Sequence, residues 1–173
     1  MIKLATIEDL IEIGKIYDEI LTHEEENISY TNWQKGLYPT LEYAKKAIEE
    51  KTMFVGINSD GLMYGSVILN NIQPKEYNNI DWIEKFEANE IMVIHTLCIR
   101  PSQSGQGHAK KMVKFSEDFA KEKGYKVIHL DTYEGNFPAA ALYPKMGYLY
   151  SGKTKFHFQE KIWETLICFE KTL

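Results

Sequence analysis

The chain has 173 residues, 44% of them apolar, and a formal net charge of -5, which is enough for one domain to bury a core without disulfide or metal support. No run approaches the ~20 apolar residues of a membrane helix, and the N-terminus lacks the basic-then-apolar pattern of a secretory leader. The acidic balance argues against general nucleic-acid binding, so neither membrane nor nucleic acid is expected as a partner. Cys98 and Cys168 both lie in apolar runs and read as buried reduced thiols, which suits the cytoplasm.

Residues 1–5 read as an edge strand, and Thr6 with Asp9 as a capping pair for a helix whose Leu10, Ile13, Tyr17 and Ile20 recur at helical spacing through Leu21. The acidic stretch from His23 to Asn27 is expected to be a solvated break. An aromatic loop then carries Tyr30, Trp33 and Tyr38. Thr40 is placed to cap a second helix with Leu41, Ala44, Ala47 and Ile48 facing inward. Residues 52–58 and 62–70 flank Ser59-Asp60-Gly61 and predict a hairpin. Residues 73–89 are polar and predict a long connection with a helical turn, with Tyr77 and Trp82 as candidate walls for a substrate.

Residues 91–99 are apolar almost throughout, as in a strand buried on both faces. Strand alternation would put Val93, His95, Leu97 and Ile99 on one side. A helix over 110–123 follows, with Met112, Phe115, Phe119 and Ala120 inward and Gly124 as its stop. A strand over 126–130, a short helix over 138–145 and a strand pair beginning at Tyr148 and ending over 163–169 complete the pattern. The expected fold class is α/β of the α+β type: one domain over 1–173 with a central mixed, mostly antiparallel sheet flanked by helices.

Between the apolar strand and its helix lies Ser104-Gly105-Gln106-Gly107-His108-Ala109. Glycine allows positive φ and close backbone approach, and the first N–H groups of a helix have no intrahelical partner. Gly105, Gly107 and the N–H groups of His108 to Lys110 are therefore suited to an anion such as a pyrophosphate, with Arg100, Lys110 and Lys111 adding charge. Neither the dinucleotide nor the nucleotide P-loop pattern is present.

This turn, Pro101 before it, and Asn136, Ala139, Tyr143, Gly147 and Tyr148 after it resemble the GCN5-related N-acetyltransferases, which use acetyl-CoA as co-substrate. The likeness is specific over residues 91–150. Ser104 stands where that family's turn usually has Gln or Arg. The aromatic loop and the ending Cys168-Phe169-Glu170-Lys171 resemble a bacterial branch of the family. The resemblance implies that the backbone of Leu97, Cys98 and Ile99 pairs with the pantetheine arm, and that residues Ser104 to Lys110 hold the pyrophosphate. It further implies that Asn136 and Ala139 lie at the pantetheine region and that Tyr143 faces the thioester sulfur.

Acetyl transfer to an amine needs a proton acceptor and a route for protonating the thiolate. His95 is the candidate acceptor, with a core histidine as the competing reading and Glu90 in reserve. Tyr143 is the candidate acid, against a purely packing role. Tyr30, Trp33 and Tyr38 are candidate contacts for the acceptor, because aromatic faces attract ammonium groups. Cys98 has no evident activating base, and no histidine spacing suggests a metal. The expected activity is transfer of acetyl to a primary amine of a small molecule or peptide by direct attack in a ternary complex. The alternatives are a non-catalytic acyl-CoA-binding regulatory module, or an acyltransferase using another acyl chain or a hydroxyl acceptor. A homodimer is expected on the family likeness and on the frequency of twofold assemblies.

Overall fold

The structure is a computed structural model and describes residues 1–158 and 160–173. Among them are seven strands, β1 (Ile2–Leu4), β2 (Met53–Ile57), β3 (Met63–Asn70), β4 (Ile91–Ile99), β5 (Val127–Tyr133), β6 (Leu149–Phe158) and β7 (Ile162–Thr172). The four α-helices are α1 (Leu10–Glu26), α2 (Leu41–Glu49), α3 (His108–Glu122) and α4 (Phe137–Lys145). The sheet order is β1-β2-β3-β4-β5-β7-β6. Pairing is antiparallel at β1–β2, β2–β3, β5–β7 and β6–β7 and parallel at β4–β5, the mixed and mostly antiparallel sheet expected. The chain divides into two compact units, one of Met1–Ser29, Trp33–Leu69 and His95–Ser116, the other of Tyr30–Asn32, Asn70–Ile94 and Glu117–Leu173.

In the first unit, α1 buries Ile13, Ile16, Tyr17, Ile20 and Leu21, the spacing of one helical face. The helix does not break at His23 as expected. Its acidic end continues to Glu26 because glutamate is a good helix former whether or not it packs, and the Asn27 side-chain amide donates to the His23 carbonyl at 2.9 Å to close it. Thr40 caps α2 by accepting the Tyr43 N–H at 3.2 Å. Leu41 is not inward as expected: it is 51% exposed and lies along α1, where a side chain added at Gly14 would come within 2.7 Å of its Cδ2. Helix residues Ile13, Ile16, Ala44 and Ala47 share a core with Met53, Val55, Ile68 and Cys98 from the strands.

Two glycines paired in register, Gly56 on β2 and Gly65 on β3, allow close approaches. A Cβ at Gly65 would fall 2.4 Å from the Cys98 carbonyl oxygen, and one at Gly56 would fall 2.2 Å from the Tyr64 ring. With that space free, Tyr64 lies flat and stacks on His108 at the start of α3, centroids 3.9 Å apart and planes 9° from parallel.

The second unit has its own apolar cluster of Tyr77, Ile80, Ile91, Val93, Val127 and Cys168. Its long connection over 73–89 contains two 3-10 turns and is held by a buried carboxylate. Glu170 accepts from the N–H of Ile83 at 2.8 Å, the N–H of Glu84 at 3.3 Å and the Ser151 hydroxyl at 2.7 Å. Trp82 stacks on His129 at 3.6 Å, and its indole N–H donates to the Tyr77 carbonyl at 3.2 Å. Tyr77, at 3% exposure, is therefore core, and its expected role as a substrate wall is withdrawn, while Trp82 is partly exposed. Lys171 donates to Glu117 at 2.9 Å and to the Met146 carbonyl at 2.7 Å, tying β7 to α3 and to the C-cap of α4.

His129 is 1% exposed, and neither ring nitrogen has a hydrogen-bond partner within the chain. Burial pushes its pKa down to about 4, with Glu170 pulling the other way. Because the folded pKa lies below the unfolded value of ~6.5, the neutral ring's contribution is complete above that pH and is lost as pH falls toward 4. The variant His129→Phe keeps a ring against Trp82 and cannot charge. Urea unfolding at pH 7 and pH 5 is expected to show a smaller acid loss in the variant, by about 2 kcal/mol. An equal loss in both proteins would show that His129 does not set acid stability.

The glycine contacts give a second expectation. Gly56→Ala must displace the Tyr64 ring and is expected to cost about 2–3 kcal/mol. Gly105→Ala, with φ +76° and nothing within 4 Å of the added carbon, is expected to cost about 1 kcal/mol from backbone strain alone. Urea midpoints that rank the two variants the other way would rule out the Tyr64 contact as the tighter constraint.

Candidate active site

The first unit contains the glycine turn. After β4, Arg100 donates its N–H to the Tyr64 carbonyl at 2.8 Å, and a 3-10 turn over Pro101–Gln103 follows. The Ser104 N–H closes that turn on the Pro101 carbonyl at 3.0 Å, so its backbone donor is already used and its exposed hydroxyl is what remains toward a ligand. Gly105 and Gly107 both adopt φ +76° with open space where a side chain would be. Gln106 between them is exposed. The Lys111 N–H donates to the Gly107 carbonyl at 3.1 Å, so the N–H groups of His108, Ala109 and Lys110 precede the first such bond of α3 and have no intrahelical acceptor. This is a cradle that fits a pyrophosphate: open glycine surface, three free helix-start donors, and the exposed Lys110 and Lys111 beside them.

Arg100 does not add charge to that turn, contrary to expectation. Its guanidinium is 10% exposed and pairs with Glu12 at 2.6 Å and Glu19 at 3.2 Å, joining β4 to α1. Glu19 also accepts the Ser102 N–H at 2.8 Å. The His108 ring is held down by Tyr64, and burial followed by the charge of Lys111 lowers its pKa. The imidazole is thus neutral near pH 7, and the residue offers the turn its N–H.

β4 departs from regular alternation. Thr96 has φ +47°, and an extended backbone keeps its two-residue period only while it stays extended. The expected common face of Val93, His95, Leu97 and Ile99 is interrupted there. The Thr96 hydroxyl meets that of Tyr38, whose ring packs edge-on against Trp33 and Tyr43. His95 is half-buried just before the irregularity. Cys98 faces Ser66, sulfur to oxygen 3.3 Å, and burial pushes its thiol up to about 11. That thiol is not a nucleophile at neutral pH.

In the second unit, Asn136 caps α4 by accepting the Ala139 N–H at 3.2 Å. Tyr143 is buried on that helix, edge-on to Tyr148 and tilted against Phe169. Burial first, and the charge of Asp131 second, push its hydroxyl well above the ordinary phenol value, so it is protonated at neutral pH. Tyr30 belongs to this unit while Trp33 and Tyr38 belong to the other. Glu90, the reserve base, accepts the Glu87 N–H at 3.0 Å as a cap. Sequence reasoning passed over Asp131, which accepts from the Tyr77 hydroxyl at 2.7 Å. The available signal was a lone carboxylate in the apolar run from Val127 to Leu130 and beyond. Among the described residues no three His, Cys, Asp or Glu side chains gather as a metal site.

The chain is similar to known proteins in sequence and in fold. The E. coli streptothricin acetyltransferase is 27% identical over 104 residues, 60% of this chain, and the chain spans 56% of that protein's length. A GNAT family acetyltransferase from Streptococcus agalactiae has the same fold, with TM-score 0.83 and 19% identity over 100% of this chain and 95% of that one. The yncA protein of Salmonella typhimurium, solved with its cofactor acetyl-CoA, matches at TM-score 0.72 and 15% identity over 100% of this chain and 93% of that one. The family model described as the Acetyltransferase (GNAT) family matches residues 17–148, more than half of the sequence and inclusive of the turn, Asn136 and Tyr143, and the chain belongs to that family.

Proposed function

We propose that this protein is an acetyl-CoA-dependent N-acetyltransferase, one domain over 1–173, that moves acetyl to a primary amine of a small molecule or peptide by direct attack in a ternary complex. The observation that carries the reading is the turn at Gly105 and Gly107, with both glycines at φ +76° and open space before them, leading into the unpartnered N–H groups of α3. Bound acetyl-CoA supplies an acetyl thioester. Its phosphates suit the backbone of Ser104 to Lys110, and its pantetheine arm suits the backbone of Leu97, Cys98 and Ile99, which continue β4 past its last registered pair with β5, Ile94 with Leu130. Asn136 and Ala139 are proposed to line the pantetheine.

Tyr143 is the proposed proton donor to the departing thiolate. Its raised pKa keeps the proton on the phenol until a stronger base appears. His95 is the proposed proton acceptor, and Tyr30, Trp33 and Tyr38 are the proposed contacts for the acceptor substrate. A small-molecule acceptor is supported by the likeness to streptothricin acetyltransferase. We place the protein in the cytoplasm as a homodimer. No described helix is long and apolar enough to cross a membrane.

Calorimetric titration with acetyl-CoA and CoA, with ATP as control, is expected to show saturable binding of both CoA species and none of ATP. An amine screen by thiol release then identifies an acceptor. Tyr143→Phe is expected to lower kcat by about 100-fold with acetyl-CoA affinity unchanged. Binding without transfer to any amine would instead identify a regulatory module, and full turnover in the variant would remove Tyr143 from the acid role.

A further inference from the structure

One backbone irregularity of the first unit lies inside β4, where Thr96 has φ +47°. A β-branched side chain is crowded in this left-handed conformation, which glycine adopts without penalty. The other non-glycine residues with positive φ among those described, Asn32, Lys51 and Glu160, lie outside the strands. A residue held in such a conformation persists only where its surroundings fix it, and such residues cluster at functional sites.

What meets Thr96 is Tyr38, the two hydroxyls sharing a hydrogen bond. Tyr38 ends a turn that is closed on itself. Its N–H donates to the Gln34 carbonyl at 3.0 Å, and the Gln34 N–H donates back to the Tyr38 carbonyl at 3.2 Å. The ring is braced by Tyr43 and Trp33, with centroids 5.1 Å and 5.5 Å away. Burial first, and Tyr43 next, raise the Tyr38 pKa well above the ordinary phenol value against the bond to Thr96, so the hydroxyl keeps its proton.

Past Thr96 the strand leaves one neighbour and keeps the other. Its registered pairing with β5 ends at Ile94, whereas the Arg100 N–H still donates to the Tyr64 carbonyl of β3 at 2.8 Å. Backbone groups of successive strand residues point to alternate edges. Cys98 therefore shares the β3 side with Arg100, and Leu97 and Ile99 turn their N–H and C=O groups to the opposite edge. An irregularity of this kind bends a strand and re-aims the residues that follow it.

We propose that Tyr38 is a positioning residue: its hydroxyl holds Thr96 in the left-handed conformation and thereby aims the Leu97 and Ile99 backbone at the pantetheine arm of acetyl-CoA. This deepens the acetyltransferase reading and rests on it. The Tyr38 hydroxyl then acts through β4 and makes no direct contact with the acceptor amine.

The test is calorimetric titration of the full chain with CoA, acetyl-CoA and the phosphorylated ADP portion of CoA, which lacks the pantetheine arm. Tyr38→Phe keeps the ring and loses the hydroxyl. It is expected to bind both CoA species about tenfold more weakly, the scale of one lost hydrogen bond, and the nucleotide portion as wild type does. Thr96→Ala is expected to show the same loss, with no further loss when Tyr38→Phe is added. Glycine needs no latch, so Thr96→Gly in the Tyr38→Phe background is expected to return affinity to within about twofold of wild type. Carbon-13 chemical shifts of Thr96 in the free protein give a readout without ligand, left-handed in wild type and extended in Tyr38→Phe. Wild-type CoA affinity in Tyr38→Phe, an equal loss for the nucleotide portion, or no rescue by glycine overturns the positioning role and leaves the acetyltransferase reading intact. A wild-type protein that binds neither CoA species overturns both.

Discussion

Tyr64 lies flat over the β2 backbone at a point where any side chain would intersect it, 2.2 Å from the position a Cβ at Gly56 would take. Its other face carries His108, and its carbonyl receives the Arg100 N–H at 2.8 Å. One residue thus holds both ends of the segment that contains Gly105 and Gly107. A left-handed glycine turn has little intrinsic rigidity, since glycine loses more conformational freedom on ordering than any other residue. Anchoring the turn by a buried ring and a backbone bond sets its donors in place before a ligand arrives, which reduces the ordering that binding must accomplish.

The second unit is organised by buried polar groups. Glu170 gathers two backbone N–H groups and a hydroxyl, and Lys171 joins Glu117 to the Met146 carbonyl. These adjacent residues on β7 serve opposite charges in different directions. A buried carboxylate with several donors is tolerable where an isolated one is not. The long connection over 73–89 is consequently ordered by its attachment to Glu170 and by the stacking of Trp82 on His129, with little help from regular secondary structure.

Burial sets the protonation states of four side chains around the sheet. The thiols of Cys98 and Cys168 are pushed up to about 11 and about 12 by burial, and at neutral pH they are small apolar side chains. The same burial acts on Asp131 and Tyr143 with a different consequence. It raises the carboxyl above the ordinary carboxylate range, and it strengthens the hold of the phenol on its proton. Desolvation alone explains all four shifts in direction, and the starting pKa of each group decides its protonation state at neutral pH.

The order of elements, the hairpin at Asp60-Gly61, the Thr40 cap and the glycine turn were all legible in the sequence, because each depends on residues within a few positions of one another. The Asn136-to-Tyr143 spacing was legible for the same reason, as one turn-and-helix unit. Where local rules failed, a distant partner or a backbone irregularity was responsible. Arg100 looked available to an anion until Glu12 and Glu19 of α1 were seen beside it, and Tyr77 looked like a pocket wall until its hydroxyl was found on Asp131. The positive φ of Thr96 left no mark in an otherwise unbroken apolar run. Sequence by itself determined the elements and the glycine turn, since propensity, capping and glycine freedom act locally. Only the tertiary structure decided which charges are paired and which carboxyl is desolvated, since those depend on groups brought together from remote parts of the chain.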